Sequence, residues 1–254
     1  MSSFGDFAAI AAADGRAALV TVVEGGDVGA KLLVLADGGT SGGLGDGELD
    51  VAAVEAAEEL MWGERSELRQ VGEVSLFVDV TAPAPRLVIF GAVDYAAALC
   101  RLARAAGWRP FVCDPRSQFA TPQRFPEAEE VLAEWPEQAF ARLGGIDRAT
   151  YITVLTHDPK LDDAALELAL RSESPYVGAM GSRRAQAQRR ERLLAAGLEE
   201  ELMTRIAAPI GLDLGAVTPE ETALSIMSEV VAVRNGRDGG RLSSAAGRIH
   251  EVGA

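Results

Sequence analysis

Two cysteines and two histidines are all that the sequence offers toward a thiolate or soft-metal centre. Cys100 lies in a stretch of helical spacing and Cys113 at the end of an apolar run. Neither has metal-ligand spacing, and both read as reduced thiols in a core. No apolar run approaches the ~18 residues of a membrane span. The first residues, MSSFGDFAAIAAADGR, contain acids and lack the basic start and long apolar core of a signal peptide, so the expected location is the cytoplasm. Positive charge is also scarce. Against 38 Asp and Glu stand 24 Lys and Arg, a net charge of −14 at pH 7. That balance excludes nonspecific adhesion to nucleic acid or to an anionic membrane, both of which need a basic face. Serine hydrolase, P-loop and kinase signatures are missing as well.

What is present centres on residues 86–114. The apolar run 87–90 (LVIF), bounded by Pro85 and Gly91, suits a strand buried on both faces. From 92 to 106 the apolar positions Ala92, Tyr95, Ala96, Leu99, Leu102, Ala103 and Ala106 recur at three and four, which is one helix face. A second apolar run, 110–113, ends in Asp114. Strand, glycine turn, helix, strand and acid make the opening unit of a dinucleotide-binding fold, in which the helix start attracts phosphate and the acid holds a ribose hydroxyl. Of G-x-G-x-x-G only Gly91 survives, with Val93 and Ala96 at the other two positions. Asp94 stands in the first helical turn, where it opposes a pyrophosphate. The unit therefore argues for the fold and against ordinary NAD(P) binding.

The whole chain follows that rhythm. Residues 4–13 read as an amphipathic helix, 17–23 and 31–35 as strands joined toward a hairpin turn at Asp37-Gly38-Gly39, and 50–61 as a helix. Residues 42–50 (GGLGDGELD) read as a glycine-rich loop, either a close approach to a ligand or a hairpin and helix cap. Residues 73–80 alternate as a strand, and 81–85 (TAPAP) form a stiff connector taken as the domain boundary. Beyond it come short strands at 131–132, 151–156, 176–180 and 206–209. Helices are expected at 137–143, 162–171 with Asp162 as cap, 182–196, and 219–235 capped by Thr218. The fold class is α/β: a C-terminal Rossmann-like doubly wound parallel sheet (86–242), a smaller N-terminal α/β domain (1–80) and a flexible tail (243–254).

Ligands of an open α/β sheet sit beyond the carboxyl ends of its strands. The candidates there are Gly91, Asp114, His157, Asp158, Gly178, Gly181, Ser182, Arg183, Arg184, Gly211 and Asp213. Gly181-Ser182-Arg183-Arg184 enters a helix with a hydroxyl and two guanidiniums, which suits phosphate or carboxylate. The alternative is a serine cap with solvated arginines. His157 is either an acid, base or oxyanion ligand near neutral pH, or a structural histidine bonded to loop carbonyls. Asp213, between the glycines of GLDLGA, bonds a ligand hydroxyl or its own loop amides.

IFGAVDYAAAL, CDPR, VLTHDPKLDDAAL, YVGAMGSRR and APIGLDLGAVTPEETALSIMSEVVAVR, in that order, resemble the XdhC/CoxI family of accessory proteins for molybdenum hydroxylases. GAKLLVLADGGTSGGLGDGELD is similar to that family's small N-terminal domain. The resemblance implies a maturation factor more than a catalyst. Such a factor binds molybdenum cofactor, as molybdopterin or its dinucleotide form, and assists its sulfurated insertion into a molybdenum hydroxylase apo-enzyme, with a sulfurtransferase as a further partner and a homodimer as the expected assembly. Glu48 stands where the family pattern often has cysteine, so no sulfur-relay role carries over to that position. Residues 24–29 (EGGDVG) are shorter than the family pattern. The rival readings are an NAD(P)-dependent oxidoreductase and a docking module that binds no small molecule.

Overall fold

The computed structural model describes residues 2–244. The tail expected at 243–254 lies almost wholly outside the described residues; its first two belong to a short 3-10 turn, Leu242–Ser244. The chain divides into two units, Met1–Pro83 and Ala84–Ala254.

The first unit holds helix α1 (Ser3–Ala12), strands β1 (Ala17–Glu24), β2 (Lys31–Leu35) and β3 (Thr40–Gly43), helix α2 (Gly47–Trp62), and strands β4 (Glu67–Val71) and β5 (Val74–Thr81). The strands form an antiparallel sheet in the order β3-β2-β1-β5-β4. Alternation along β1 decides its two faces. Ala18, Val20 and Val22 pack with Ala53, Ala57, Leu60 and Met61 of α2, while Ala17 and Leu19 pack with Phe7 of α1. The glycine-rich stretch is a strand before it is a loop. A Cβ on Gly42 would lie 2.3 Å from the Lys31 carbonyl of the paired strand, so the close approach is to the chain's own backbone. Helix α2 begins three residues before the expected start, because Asp46 accepts the amides of Glu48 and Leu49 (2.8 and 3.0 Å) as its cap. The strand β4 was not expected from the sequence; its burial alternates, but the half-buried face carries the charged Glu67 and Arg69 while Leu68 is exposed, so no apolar alternation marks it.

The second unit alternates β6 (Arg86–Phe90), α3 (Asp94–Ala105), β7 (Arg109–Cys113), β8 (Glu130–Leu132), α4 (Pro136–Arg142), β9 (Thr150–Val154), α5 (Pro159–Leu170), β10 (Tyr176–Ala179), α6 (Arg183–Ala195), α7 (Glu200–Met203), β11 (Ile206–Ala207) and α8 (Pro219–Arg234). All six strands are parallel, in the order β11-β10-β9-β6-β7-β8. This is a doubly wound Rossmann-like sheet whose order reverses between β6 and β9. Along β6, Leu87 and Ile89 join the core with Leu99 of α3 and Ile226 of α8, whereas Val88 and Phe90 join the opposite core with Leu161 and Leu166 of α5. A strand buried on both faces is why this segment is continuously apolar.

Two sequence expectations are corrected here. Helix α3 starts at Asp94 rather than Ala92, because residues 91–93 form the turn and Val93 is extended at φ −109°. Helix α5 is capped by Asp158, which accepts the Lys160 amide at 3.0 Å; Asp162 is a buried residue of its first turn.

Gly178 of β10 has a packing reason. A Cβ there would lie 2.5 Å from Ile210 Cδ1 and 2.6 Å from the Tyr176 hydroxyl. Gly178→Ala should therefore lose about 1–3 kcal/mol, the usual range for overpacking a core. Urea unfolding of the two proteins measures it, and an unchanged midpoint contradicts this packing account.

Candidate functional site

The crevice over the switch point is built from four strand ends. Gly91 leaves β6 at φ +112°, and a Cβ on it would come within 2.8 Å of Thr156 Cγ2 and 3.2 Å of the Thr156 nitrogen at the end of β9. Only glycine fits there without strain. The Gly91 amide donates to the Cys113 carbonyl of β7 at 2.9 Å, and helix α3 then begins with no side-chain cap.

Asp114 lies directly beneath this turn and is fully buried. Its Oδ2 accepts the Ala92 amide (2.9 Å) and Arg116 Nη2 (2.7 Å), and its Oδ1 accepts the Arg116 amide (3.0 Å) and Nε (2.9 Å). Burial alone would raise its pKa; the Arg116 side chain and the two amides more than reverse that and hold the carboxyl below its ordinary value. Asp114 therefore sits where the ribose ligand was expected, but its bonds are spent on the chain itself. Arg116 leans on Phe119, with the guanidinium carbon 5.0 Å from the ring centroid. Its pKa is raised, first by bonding to Asp114 and also by the charge of Asp158, which places the tips of β7 and β9 within electrostatic reach of one another. Arg124 clamps the same turn, donating to the Ala92 carbonyl (2.9 Å) and pairing with Asp94 at 3.5 Å. The acid in the first turn of α3 thus has a cation of its own.

On the other side of the switch, Thr156 is buried and its hydroxyl links two elements. It accepts the Asp158 amide (2.9 Å) and donates to Asp162 Oδ1 (2.7 Å). Asp162 Oδ2 receives Arg189 Nη2 (2.9 Å), which also reaches the Met180 carbonyl (3.0 Å). Both members of the pair are nearly inaccessible, with side chains 4% and 5% exposed. Burial raises the pKa of Asp162, and its bonds to Thr156 and Arg189 offset this only in part. Gln186 bonds Arg189 and donates to the Ala179 and Gly181 carbonyls (3.3 Å each). This chain of contacts fixes the 156–158 loop to the 180–182 loop. His157 and Asp158 are exposed above it.

Ser182 caps α6 through the Ala185 amide (3.3 Å), and Gly181, at φ +135°, makes the turn before it. The basic helix is mostly neutralised: Arg189 pairs with Asp162, Arg190 with Glu200, and Arg192 with Asp163 through two bonds (2.6 and 2.9 Å). Arg183 and Arg184 are exposed at its start and make no ion pair among the described residues. Basic side chains at a helix start oppose the macrodipole, a cost that an anion there would remove.

The structure thus places Gly91, Asp114, His157, Asp158, Gly181, Ser182, Arg183 and Arg184 at the carboxyl ends of adjacent strands. Gly178 lies inside β10. Gly211 is turned toward α8: at φ +97°, its Cβ would meet Ser225 Oγ at 2.4 Å, and its amide donates to Glu229 Oε2 (2.8 Å), which also accepts the Tyr176 hydroxyl. Asp213 is exposed beyond it. Sequence reasoning puts Arg116 and Thr156 at strand ends on this rim without a role for either, and it missed Gln186 and Arg189 as site-building residues. The i, i+3 spacing of Gln186 and Arg189 inside a basic helix was the available signal. Cys100 and Cys113 are both fully buried, and burial drives both thiol pKa values up, Cys100 to about 12. Neither is a nucleophilic thiolate near neutral pH. Among the described residues no cluster of His, Cys, Asp and Glu suits a metal ion, and no helix is long and apolar enough to cross a membrane.

The buried pair gives a direct test. Arg189→Met alone strands the Asp162 carboxylate and should cost about 3–5 kcal/mol, whereas Asp162→Leu with Arg189→Met should recover much of that loss. Denaturant titration of the three proteins measures both. A single variant no less stable than the double contradicts a buried, coupled pair.

The comparisons with known proteins agree with this architecture. The XdhC Rossmann domain pattern matches residues 87–230, and the XdhC and CoxI family pattern matches residues 10–72. The chain is 27% identical over 226 residues to an uncharacterized protein, YqeB, of Escherichia coli, covering 83% of this chain and 41% of the relative. It is 29% identical over 160 residues to a probable xanthine dehydrogenase subunit of Bacillus subtilis (63% and 46% covered). It is 30% identical over 152 residues to the molybdenum cofactor insertion chaperone PaoD of Escherichia coli (60% and 41% covered). The chain therefore spans less than half the length of these relatives. A crystal structure described as a xanthine dehydrogenase from Bacillus halodurans shares the fold, with a TM-score of 0.61 at 24% identity over 89% of this chain and 64% of the other. With its Rossmann unit matched almost from end to end and its N-terminal unit matched in the same order, the chain belongs to the XdhC/CoxI family.

Proposed function

We propose that this chain binds a molybdenum cofactor in the crevice over Gly91 and assists its insertion into a molybdenum hydroxylase apo-enzyme. The observation that carries the reading is the pair of exposed arginines, Arg183 and Arg184, that make no ion pair among the described residues and stand at a helix start capped by Ser182. Family membership and the likeness to a molybdenum cofactor insertion chaperone support the same reading. The pterin cofactor is anionic, and the residues fit such a group: the helix start at Ser182 and the guanidiniums of Arg183 and Arg184 lie at one rim of an acidic protein.

In this account Ser182, Arg183 and Arg184, with the turn at Gly181, hold the anionic group. Gly91 lets the turn after β6 pass against Thr156, and Asp114 keeps that turn in place from below. His157, Asp158 and Asp213 complete the rim with groups that bond the ligand's polar edge. Gly178 and Gly211 serve by keeping β10 and the following loop close-packed. The bound cofactor would supply oxygen-atom and electron transfer chemistry only after delivery, in the recipient enzyme. Sulfuration, where it occurs, draws on a sulfurtransferase rather than on this chain's thiols, since Cys100 and Cys113 are buried and protonated and Glu48 is not a sulfur carrier. An NAD(P)-dependent oxidoreductase is disfavoured by the acceptors of Asp114, all of which are already used.

The test is retention. Purified protein is mixed anoxically with molybdenum cofactor, desalted, and assayed for bound molybdenum and pterin. Near-stoichiometric retention is expected, falling at least about tenfold in the Arg183→Ala/Arg184→Ala variant with thermal stability unchanged, as loss of two charge-assisted contacts implies. Equal retention by the variant contradicts the assigned site.

A further inference from the structure

The tip of β7 carries an inference about which form of the cofactor the crevice accepts. It rests on the delivery reading above. In a dinucleotide-binding sheet the acid at this position accepts ribose hydroxyls. A carboxylate offers about four acceptor directions. In Asp114 four are taken, by the amides of Ala92 and Arg116 and by Nε and Nη2 of Arg116, and no part of the residue meets solvent. A ribose diol placed here finds no acceptor on Asp114.

Arg116 stands in its place. Its Nε–Nη2 edge faces Asp114, so its Nη1 lies on the opposite side of the fork, where it makes no hydrogen bond among the described residues. The side chain is 44% exposed, and Phe119 and the paired carboxylate below fix its plane. A guanidinium held rigidly on two sides and open on the third is a preorganised anion post. Together with the start of α6, it gives the crevice cationic groups at the tips of β7 and β10, with β6 and β9 between them. We infer that the crevice takes the monophosphate form of the pterin cofactor in preference to the dinucleotide form, with Arg116 as the residue that sets this choice. The monophosphate carries a doubly ionisable phosphomonoester and no nucleoside. The dinucleotide replaces that terminal monoester with a pyrophosphate link, its charge spread over two phosphoryl groups, and adds a ribose whose usual acceptor is occupied.

Competition for the full chain tests this. The protein is incubated anoxically with equal amounts of the monophosphate and dinucleotide forms and desalted, and the retained pterins are separated and quantified after oxidation. The monophosphate should be retained about tenfold or more over the dinucleotide, the size expected for one good charge-assisted contact. Arg116→Ala should erase or invert the preference, because it removes the cation and frees Asp114 to accept ribose. Arg116→Lys keeps a charge without the fork and should fall between. Circular dichroism and thermal unfolding confirm that each variant is folded. Equal retention of both forms by the native protein, or preference for the dinucleotide, overturns the inference and leaves the delivery reading intact. Retention of neither form overturns the delivery reading, and this inference with it.

Discussion

The carboxylate of Asp114 has no exposure to water, and every bond it accepts comes from the turn above it or from the arginine two residues on. That constraint shapes the rest of the crevice. It holds the amide of Ala92 so that Gly91 can pass within van der Waals contact of Thr156, and it orients Arg116 over the tip of β7. Burying a carboxylate costs several kcal/mol unless it is fully bonded. The site is therefore built around a buried acid whose cost is offset by two backbone amides and the Arg116 guanidinium together.

A second buried charge does the same on the far side. Arg189 and Asp162 join Thr156 at the end of β9 to the carbonyls that follow β10, so the two loops with exposed polar tips share one internal support. Rigid support beneath exposed groups is what a site for an anionic, oxygen-sensitive ligand requires, since each contact then costs little ordering on binding. The remaining arginines of α6 are consumed by Glu200 and Asp163. Of the arginines of α6, only Arg183 and Arg184 make no ion pair among the described residues.

The alternation of apolar runs with helical periods made the doubly wound sheet readable, because strands buried on both faces leave continuous LVIF-type signals. The family motifs then fixed the order. The roles of individual residues were less readable. Asp114 was legible as an acid at a strand tip, but its bonding to Arg116 depends on the backbone folding back over two residues. Asp162 looked like a helix cap because it precedes an apolar run, while the true cap, Asp158, carries the same cap-then-proline signal as Thr218 and was overlooked. Arg189 was one of several arginines in a row, and only packing separates the buried one from the solvated ones. Strand β4 was missed because its half-buried face carries the charged Glu67 and Arg69, and β3 because glycine reads as loop even where a neighbouring backbone demands it.

The central claim is that the ligand sits over Gly91, between the tips of β7 and β10. A crystal structure of the anoxically loaded protein, collected at the molybdenum absorption edge, locates the metal directly. The account predicts one anomalous peak in that crevice, with Arg116, Ser182, Arg183 and Arg184 around the bound cofactor. A peak on the N-terminal unit, or along the α3 and α8 face, would contradict it.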